Sequence, residues 1–291
     1  MKKIDNFCIF ILTHGRPEKV ITYKTLKKAG YNGDVYIVID NEDDTSEQYY
    51  EKYGDKVLMF NKLEVSKTFD EADNFDNRKS IVYARNSCFD LAKKLKYKYF
   101  MQLDDDYSAF EYRVYNSSKC KPKKIKKNLN YLLELLLTFY KKTPAKSIAI
   151  AQGGDFIGGN QNANAKNPTL KRKAMNTFIC STERPFKFVG RINEDVNTYT
   201  HKASVGDLFF TIPFASIVQQ TTQSNSGGMT DIYMDQGTYV KSFYSVIFHP
   251  SSVKVGTMGD TKKRLHHKVS WNNTAPKIIS DKYRYKNGNN E

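Results

Sequence analysis

Tyr99-Phe100-Met101-Gln102-Leu103-Asp104-Asp105-Asp106 is an aromatic and apolar run that stops at three consecutive carboxylates. The run reads as a buried strand. Side chains alternate along an extended segment, so Asp104 and Asp106 share one direction and Asp105 takes the other. Two carboxylates converging at a strand end repel each other and resist ionisation, which makes them a poor device for stability. A hard divalent cation relieves that repulsion, because Mg2+ or Mn2+ takes one or two carboxylates together with phosphate oxygens of a substrate. The alternative is an acidic turn that caps the next helix.

Outward from this strand the first half alternates strands and helices. The apolar run Phe7-Cys8-Ile9-Phe10-Ile11-Leu12 ends in Thr13-His14-Gly15-Arg16-Pro17, and a helical stretch to about Lys28 closes at Gly30. Val35-Tyr36-Ile37-Val38-Ile39 is a second buried strand ending at Asp40, and Val57-Leu58-Met59-Phe60 a third. Ile81, Ala84, Cys88, Leu91, Ala92 and Leu95 fall on one face of a helix over 80–96. Such an order predicts a mostly parallel sheet between helices, with ligands beyond the carboxyl ends of the strands, where Thr13, Asp40 and Asp104 lie. A helix over 125–140 and a strand over 148–151 follow. The remainder reads as strand-rich and loop-rich, with polar surface loops at 158–173 and 219–230.

The chain has 291 residues, enough for a substantial core, and its Lys and Arg number 46 against 31 Asp and Glu, a formal net charge of +15. A surplus of that size points to a polyanion, nucleic acid first; a merely solvated lysine-rich surface is the plain alternative. The lysines Lys119, Lys121, Lys123, Lys124, Lys126 and Lys127 precede the apolar helix, where cations oppose the macrodipole and local stability does not explain them. Lys171-Arg172-Lys173 and Lys262-Lys263-Arg264 add to the basic set. No apolar run reaches the ~20 residues of a membrane span. The four cysteines form no CxxC pair, so reduced thiols, no zinc and a cytoplasmic setting are expected. The first strand begins too early for a signal peptide.

Several residues have chemistry suited to a nucleotide. Thr13, His14 and Arg16 follow the first strand, and Asp40 can accept hydrogen bonds from a uracil imide or a ribose hydroxyl. Arg85 and Asn86 offer donors to phosphates or a base edge. Each alone is equally at home in a cap or turn. Glu194-Asp195, after Gly190-Arg191-Ile192-Asn193, supplies carboxylates that can take an acceptor proton or else cap a helix beginning near Val196.

The order Thr13-His14-Gly15-Arg16-Pro17, Asp40, Ala84-Arg85-Asn86, Asp104-Asp105-Asp106 resembles the GT-A fold of sugar-nucleotide-dependent glycosyltransferases. Ile11 to Pro17, Tyr36 to Glu42, Gly190 to Asp195, Gly228-Met229-Thr230-Asp231, Gly237 to Lys241 and His266 to Asn273 resemble, more narrowly, the TET-associated glycosyltransferases of phages. The resemblance covers about residues 5 to 285. It implies one GT-A-like α/β domain over 1–291, with 1–151 binding the nucleotide sugar and 152–291 forming the acceptor and C-terminal half. It also implies a UDP-sugar donor (UDP-glucose or similar) and, as acceptor, a hydroxymethylated pyrimidine such as hydroxymethylcytosine in DNA. Asp104 and Asp106 would hold Mn2+ or Mg2+, with His266 or His267 completing the shell. Thr13, His14, Arg16, Asp40, Arg85, Asn86 and Asp104 would meet the donor, and Asp195 would be the base with Glu194 beside it. Asp231 and Asp235 are lesser candidates for that base. Lys121, Lys123, Lys124, Lys127, Arg172 and Lys173 would meet the DNA, in the host cytoplasm if the chain is phage-encoded. A nucleotidyl- or phosphoryl-transferase and a non-catalytic DNA-binding module are the rival readings.

Overall fold

Continuous apolar runs become strands that parallel pairing buries on both faces. Phe7–Leu12 (β1) pairs in parallel with Asp34–Asp40 (β2), which carries Val57–Phe60 (β3) beyond it, and on its other flank with Tyr99–Asp104 (β4). Tyr107–Asn116 (β5), Lys119–Lys124 (β6), Ser147–Ala151 (β7), Thr177–Ser181 (β8) and Phe209–Gln219 (β9) complete the sheet. Its order is β3-β2-β1-β4-β8-β7-β9-β5-β6. All of these strands run one way except β8 and β5. The computed structural model describes residues 3–73, 76–116, 119–156, 167–170, 176–219, 230–258 and 263–276.

Alternation along β1 divides the core. Phe7, Ile9 and Ile11 pack on one side with Ile21–Lys28 (α1), Ser46–Tyr53 (α2) and Leu129–Lys141 (α5). Cys8, Phe10 and Leu12 pack on the other with Val82–Lys94 (α4) and Glu194–Ser204 (α6). A short helix, Lys62–Ser66 (α3), follows β3. Beyond the sheet, Thr230–Phe248 (α7) packs on a hairpin of Val253–Met258 (β10) and Arg264–Val269 (β11), followed by Trp271–Thr274 (α8). Trp271 stacks on Tyr199 of α6 with ring centroids 5.4 Å apart, which ties the C-terminal hairpin to the site described below. No helix among the described residues is long and apolar enough to cross a membrane.

The mostly parallel α/β sheet is the predicted one, and three details differ from expectation. Most of the lysine run, Lys119 to Lys124, does not lead into a helix; it is β6, paired antiparallel with β5 at the end of the sheet, and of the run only Lys126 and Lys127 lie between it and α5. Lysine and Pro122 on an edge strand discourage pairing with another chain, a local reason for the run that the helix reading lacked. The helix expected over 125–140 begins only at Leu129, after Asn128. Lys126 and Lys127 are thereby kept out of the first turn, where they would oppose the dipole. Finally, the second half carries α6 and α7 beside its strands. Gly237, Thr238 and several β-branched residues weaken the helical signal of α7.

Candidate active site

Register brings the strand ends together. Leu12 stands opposite both Val38 and Asp104, so Thr13, Asp40 and the acidic turn share one edge of the sheet. Thr22, at the start of α1, fixes the turn from below. Its hydroxyl donates to Asp104 O at 2.6 Å and accepts from Tyr107 N at 2.9 Å, while its own N–H donates to Asp105 O at 2.9 Å.

Asp104 ends β4, and Asp105 and Asp106 form the turn after it. Asp105 is 1% exposed and turns inward, where its Oδ2 accepts from Thr13 Oγ1 at 2.6 Å and Arg16 Nε at 2.8 Å. Tyr49 OH accepts from Arg16 N and lies 2.9 Å from Thr13 Oγ1; with the threonine proton given to Asp105, Tyr49 donates to Thr13. Asp105 and Tyr49 thus hold the loop after β1, a task that sequence reading did not give them.

Asp104 and Asp106 remain for chemistry. Asp106 Oδ2 accepts from Gln219 Nε2 at 3.3 Å, and its Oδ1 is buried with no hydrogen bond among the described residues. A buried carboxylate oxygen lacking a donor is costly unless something positive meets it. Burial raises the pKa of Asp106, and Asp105 adds to the effect. Among the described residues no three His, Cys, Asp or Glu side chains form a group able to hold an ion. The orphaned Oδ1 of Asp106, near Asp104, is the observation that fits a cation whose shell comes largely from substrate oxygens.

Burial pushes Asp104 up to about 6, with Asp106 and Asp105 adding to the rise and Arg85 opposing it. An acid whose folded pKa is raised destabilises the fold wherever it is ionised. That cost is present above about pH 6 and fades as pH falls toward the unfolded pKa near 4. Asp104→Asn removes this pH-dependent cost together with one counter-charge of buried Arg85, so the stability of the parent relative to the variant should rise as pH falls from about 8 toward 4. Urea melts at both pH values check this; a difference independent of pH would contradict it.

Arg85, in the first turn of α4, lies across the sheet end and is 1% exposed. Its NH2 donates to Asp104 Oδ1 at 3.0 Å and its Nε to Glu194 Oε1 at 2.8 Å, above the rings of Phe178 and Phe188. Expected at a phosphate or base edge, Arg85 instead joins two carboxylates and is closed to solvent. Glu194 is the first residue of α6; burial raises its pKa against the pull of Arg85. Asp195 follows, 9% exposed; its Oδ1 accepts from Val196 N at 2.8 Å and its Oδ2 accepts no bond among the described residues. Both carboxylates lie inside the first turn of α6, with Asn193 at the N-cap position but making no side-chain cap bond.

The approach to α6 is built for this placement. Gly190 has φ +80°, and a Cβ there would sit 2.2 Å from Asn197 Nδ2. Arg191 donates through Nε and NH2 to Asp73, at 2.9 and 2.8 Å, and Tyr244 of α7 bonds the same carboxylate. Asn193, in the left-handed region at φ 57°, reaches Lys241 O at 2.5 Å and His267 Nδ1 at 3.4 Å. His267 is 3% exposed, and His266 is its ring neighbour at 4.2 Å. Neither joins Asp104 and Asp106 in a group able to hold an ion; His267 meets the α6 entry instead.

On the nucleotide side, His14 Nδ1 lies 2.8 Å from Asp40 Oδ2, and buried Lys62 is 2.9 Å from Asp40 Oδ1. Burial alone would raise the pKa of Asp40, but hydrogen bonds from His14 and Lys62 lower it, so the carboxylate stays ionised and Nδ1 carries the proton. Asp43, missed in the sequence, accepts from Gly15 N at 2.7 Å and shapes the same loop. Arg16 keeps its side chain 33% exposed. Asn86 is corrected from donor contact to framework. It is fully buried, and its amide donates to Phe188 O at 3.0 Å and accepts from Phe188 N at 2.8 Å. Asn86→Ala should cost roughly 2–4 kcal/mol by stranding both backbone groups, with donor KM unchanged in folded enzyme. A raised KM without loss of stability would return Asn86 to the donor.

Arg172, Lys173 and the side chains of Asp231 and Asp235 lie outside the described residues. Lys121, Lys123, Lys124 and Lys127 are exposed on β6 and just after it.

The strand ends thus carry a carboxylate turn joined through Arg85 to a second carboxylate pair at the start of α6. Residues 7–228 match the TET-associated glycosyltransferase family, and the chain belongs to that family. No curated protein matches it in sequence. Among solved structures it is similar to glucosyl-3-phosphoglycerate synthase from Mycobacterium tuberculosis, in complex with Mn2+, UDP and phosphoglyceric acid. The two share 8% identity at a TM-score of 0.46, over 90% of this chain and 86% of that one.

Proposed function

We propose that this glycosyltransferase moves a sugar from a UDP-sugar, such as UDP-glucose, to the hydroxymethyl group of a modified pyrimidine in DNA. The observation that carries the reading is the acidic turn, with the buried Oδ1 of Asp106 unbonded among the described residues, and with Asp104 linked through Arg85 to the carboxylate pair of α6. Thr13, His14 and Arg16 are the loop that receives the nucleoside, ordered by Asp105, Tyr49, Asp40 and Asp43. Arg16, part-exposed and held at Nε, is the cation placed toward the donor phosphates. Mn2+ or Mg2+ held by Asp104 and Asp106 would neutralise the departing diphosphate.

In the transfer, the acceptor oxygen bonds to the anomeric carbon as the bond from that carbon to the diphosphate breaks. The hydroxyl proton passes to Asp195, whose Oδ2 has no other bond among the described residues. Glu194, held by Arg85, keeps a second negative charge beside it and is not free to take the proton in the same pose. The family membership favours this reading over nucleotidyl transfer, and no third carboxylate joins Asp104 and Asp106 among the described residues.

The decisive experiment incubates hydroxymethylated DNA with the protein, Mn2+ and a panel of nucleotide sugars, then weighs the released nucleosides. A hexose-shifted hydroxymethyl nucleoside is expected. Transfer to the free nucleotide as efficient as to the polymer would sink the DNA reading.

A further inference from the structure

A cavity of about 570 Å³ opens between α1 and the adjoining parts of β5 and β6. None of the three aspartates lines it; it reaches toward the acidic turn through Ile21, next to the Thr22 that binds the turn, and Ser108, two residues after Asp106, on the α1 side of the sheet. Its lining is cationic. Lys24 and Lys28 project from α1, Lys124 ends β6, and Lys126 comes two residues later. Lys52 also lines it, but is neutralised by Glu18 at 2.6 Å. Lys24, Lys28, Lys124 and Lys126 make no ion pair among the described residues.

Like charges one helical turn apart, as at Lys24 and Lys28, disfavour each other. Edge protection explains lysine on β6 but not the pair on α1 that faces it across the cavity. The surface is built from ammonium groups with no arginine fork, which suits spaced phosphates held as point charges better than one planar anion. The floor of Phe110 and Ile125 is apolar and buried, so nothing beneath the lysines returns their charge.

We infer that this cavity seats the phosphodiester backbone of the acceptor strand, a step that rests on DNA being the acceptor. Alternation on β6 sets the limits of the seat: Lys124 lines it, whereas Lys121 and Lys123 do not. The basic contact is therefore centred on Lys24, Lys28, Lys124 and Lys126 rather than on the lysine run as a whole.

The test uses fluorescence anisotropy with a labelled, unmodified 20-base-pair duplex, at several salt concentrations. Lys24→Glu/Lys28→Glu is compared with Lys121→Glu/Lys123→Glu, which changes net charge equally. The first pair should weaken binding by tenfold or more and flatten the salt dependence by about two counterions, at ~0.9 per phosphate contact. The second pair should leave the slope unchanged. Lys24→Gln/Lys28→Gln, milder at the end of α1, should show the same order of effect if the glutamates unfold the helix. Equal weakening by both glutamate pairs, no weakening by the α1 pair, or no duplex binding by the parent would overturn the inference. Sugar transfer is scored separately. Duplex held through α1 without transfer would discredit the acceptor and leave the cavity standing. Transfer indifferent to Lys24 and Lys28 would do the reverse.

Discussion

Asp195→Asn should fold, bind donor as the parent does, and turn over roughly 10²–10⁴-fold more slowly, the usual worth of a general base. Asparagine is nearly isosteric and can still accept from Val196 N, so the start of α6 is preserved. Losing one negative charge from the first turn costs the helix only about 0.3–1 kcal/mol. Neither change accounts for a kinetic loss of that size, which leaves proton removal as the function lost. The check is single-turnover transfer alongside donor titration. Unaltered turnover would pass the proton to Glu194, and a protein that no longer folds would make the pair a helix-start device alone.

Asp106→Ala should reduce transfer by roughly 10²–10³-fold, the range set by removing a group that stabilises developing charge. Its stability should stay within ~1 kcal/mol of the parent or rise, because a buried acceptor without a donor disappears with the side chain. Asp104→Asn offers the comparison: it also removes a carboxylate from the turn, but keeps an acceptor for Arg85. Melting curves and transfer rates with Mn2+ over a concentration series separate the two effects. If Asp106→Ala transferred sugar at the parent's rate, or if the parent kept full activity in excess chelator, the acidic turn would have another purpose.

Much of the fold was legible because parallel strands buried on both faces are written as unbroken apolar runs. The runs ending at Leu12, Asp40 and Asp104 are β1, β2 and β4, and register then places their ends together. Within the triplet, the inward turn of Asp105 is seen in its bonds to Thr13 and Arg16, whereas Asp106 lies in the turn, where a strand period of two no longer reads out direction. The partners were not. Arg85 meets a carboxylate 109 positions further along the chain, and Arg191 meets one 118 positions before it. Local patterning contains no trace of such distances, so Arg85 and Asn86 were read as ligands when one is a clamp and the other a brace. The lysine run was misplaced by its neighbour: the apolar helix downstream was conspicuous, while the strand Lys119–Lys124 carries almost no apolar residue to announce it.

The guanidinium of Arg85, on α4, ties the end of β4 to the start of α6. Drawing α6 away from α4 would leave a buried ion without one of its counter-charges, at about 3–5 kcal/mol. Rearrangement by sliding these two helices is therefore strongly disfavoured. The clamp is an anvil rather than a jaw, and on the proposed DNA acceptor the adaptation would fall to the substrate: a nucleotide would be swung out of its stack and carried to a stationary pair of carboxylates.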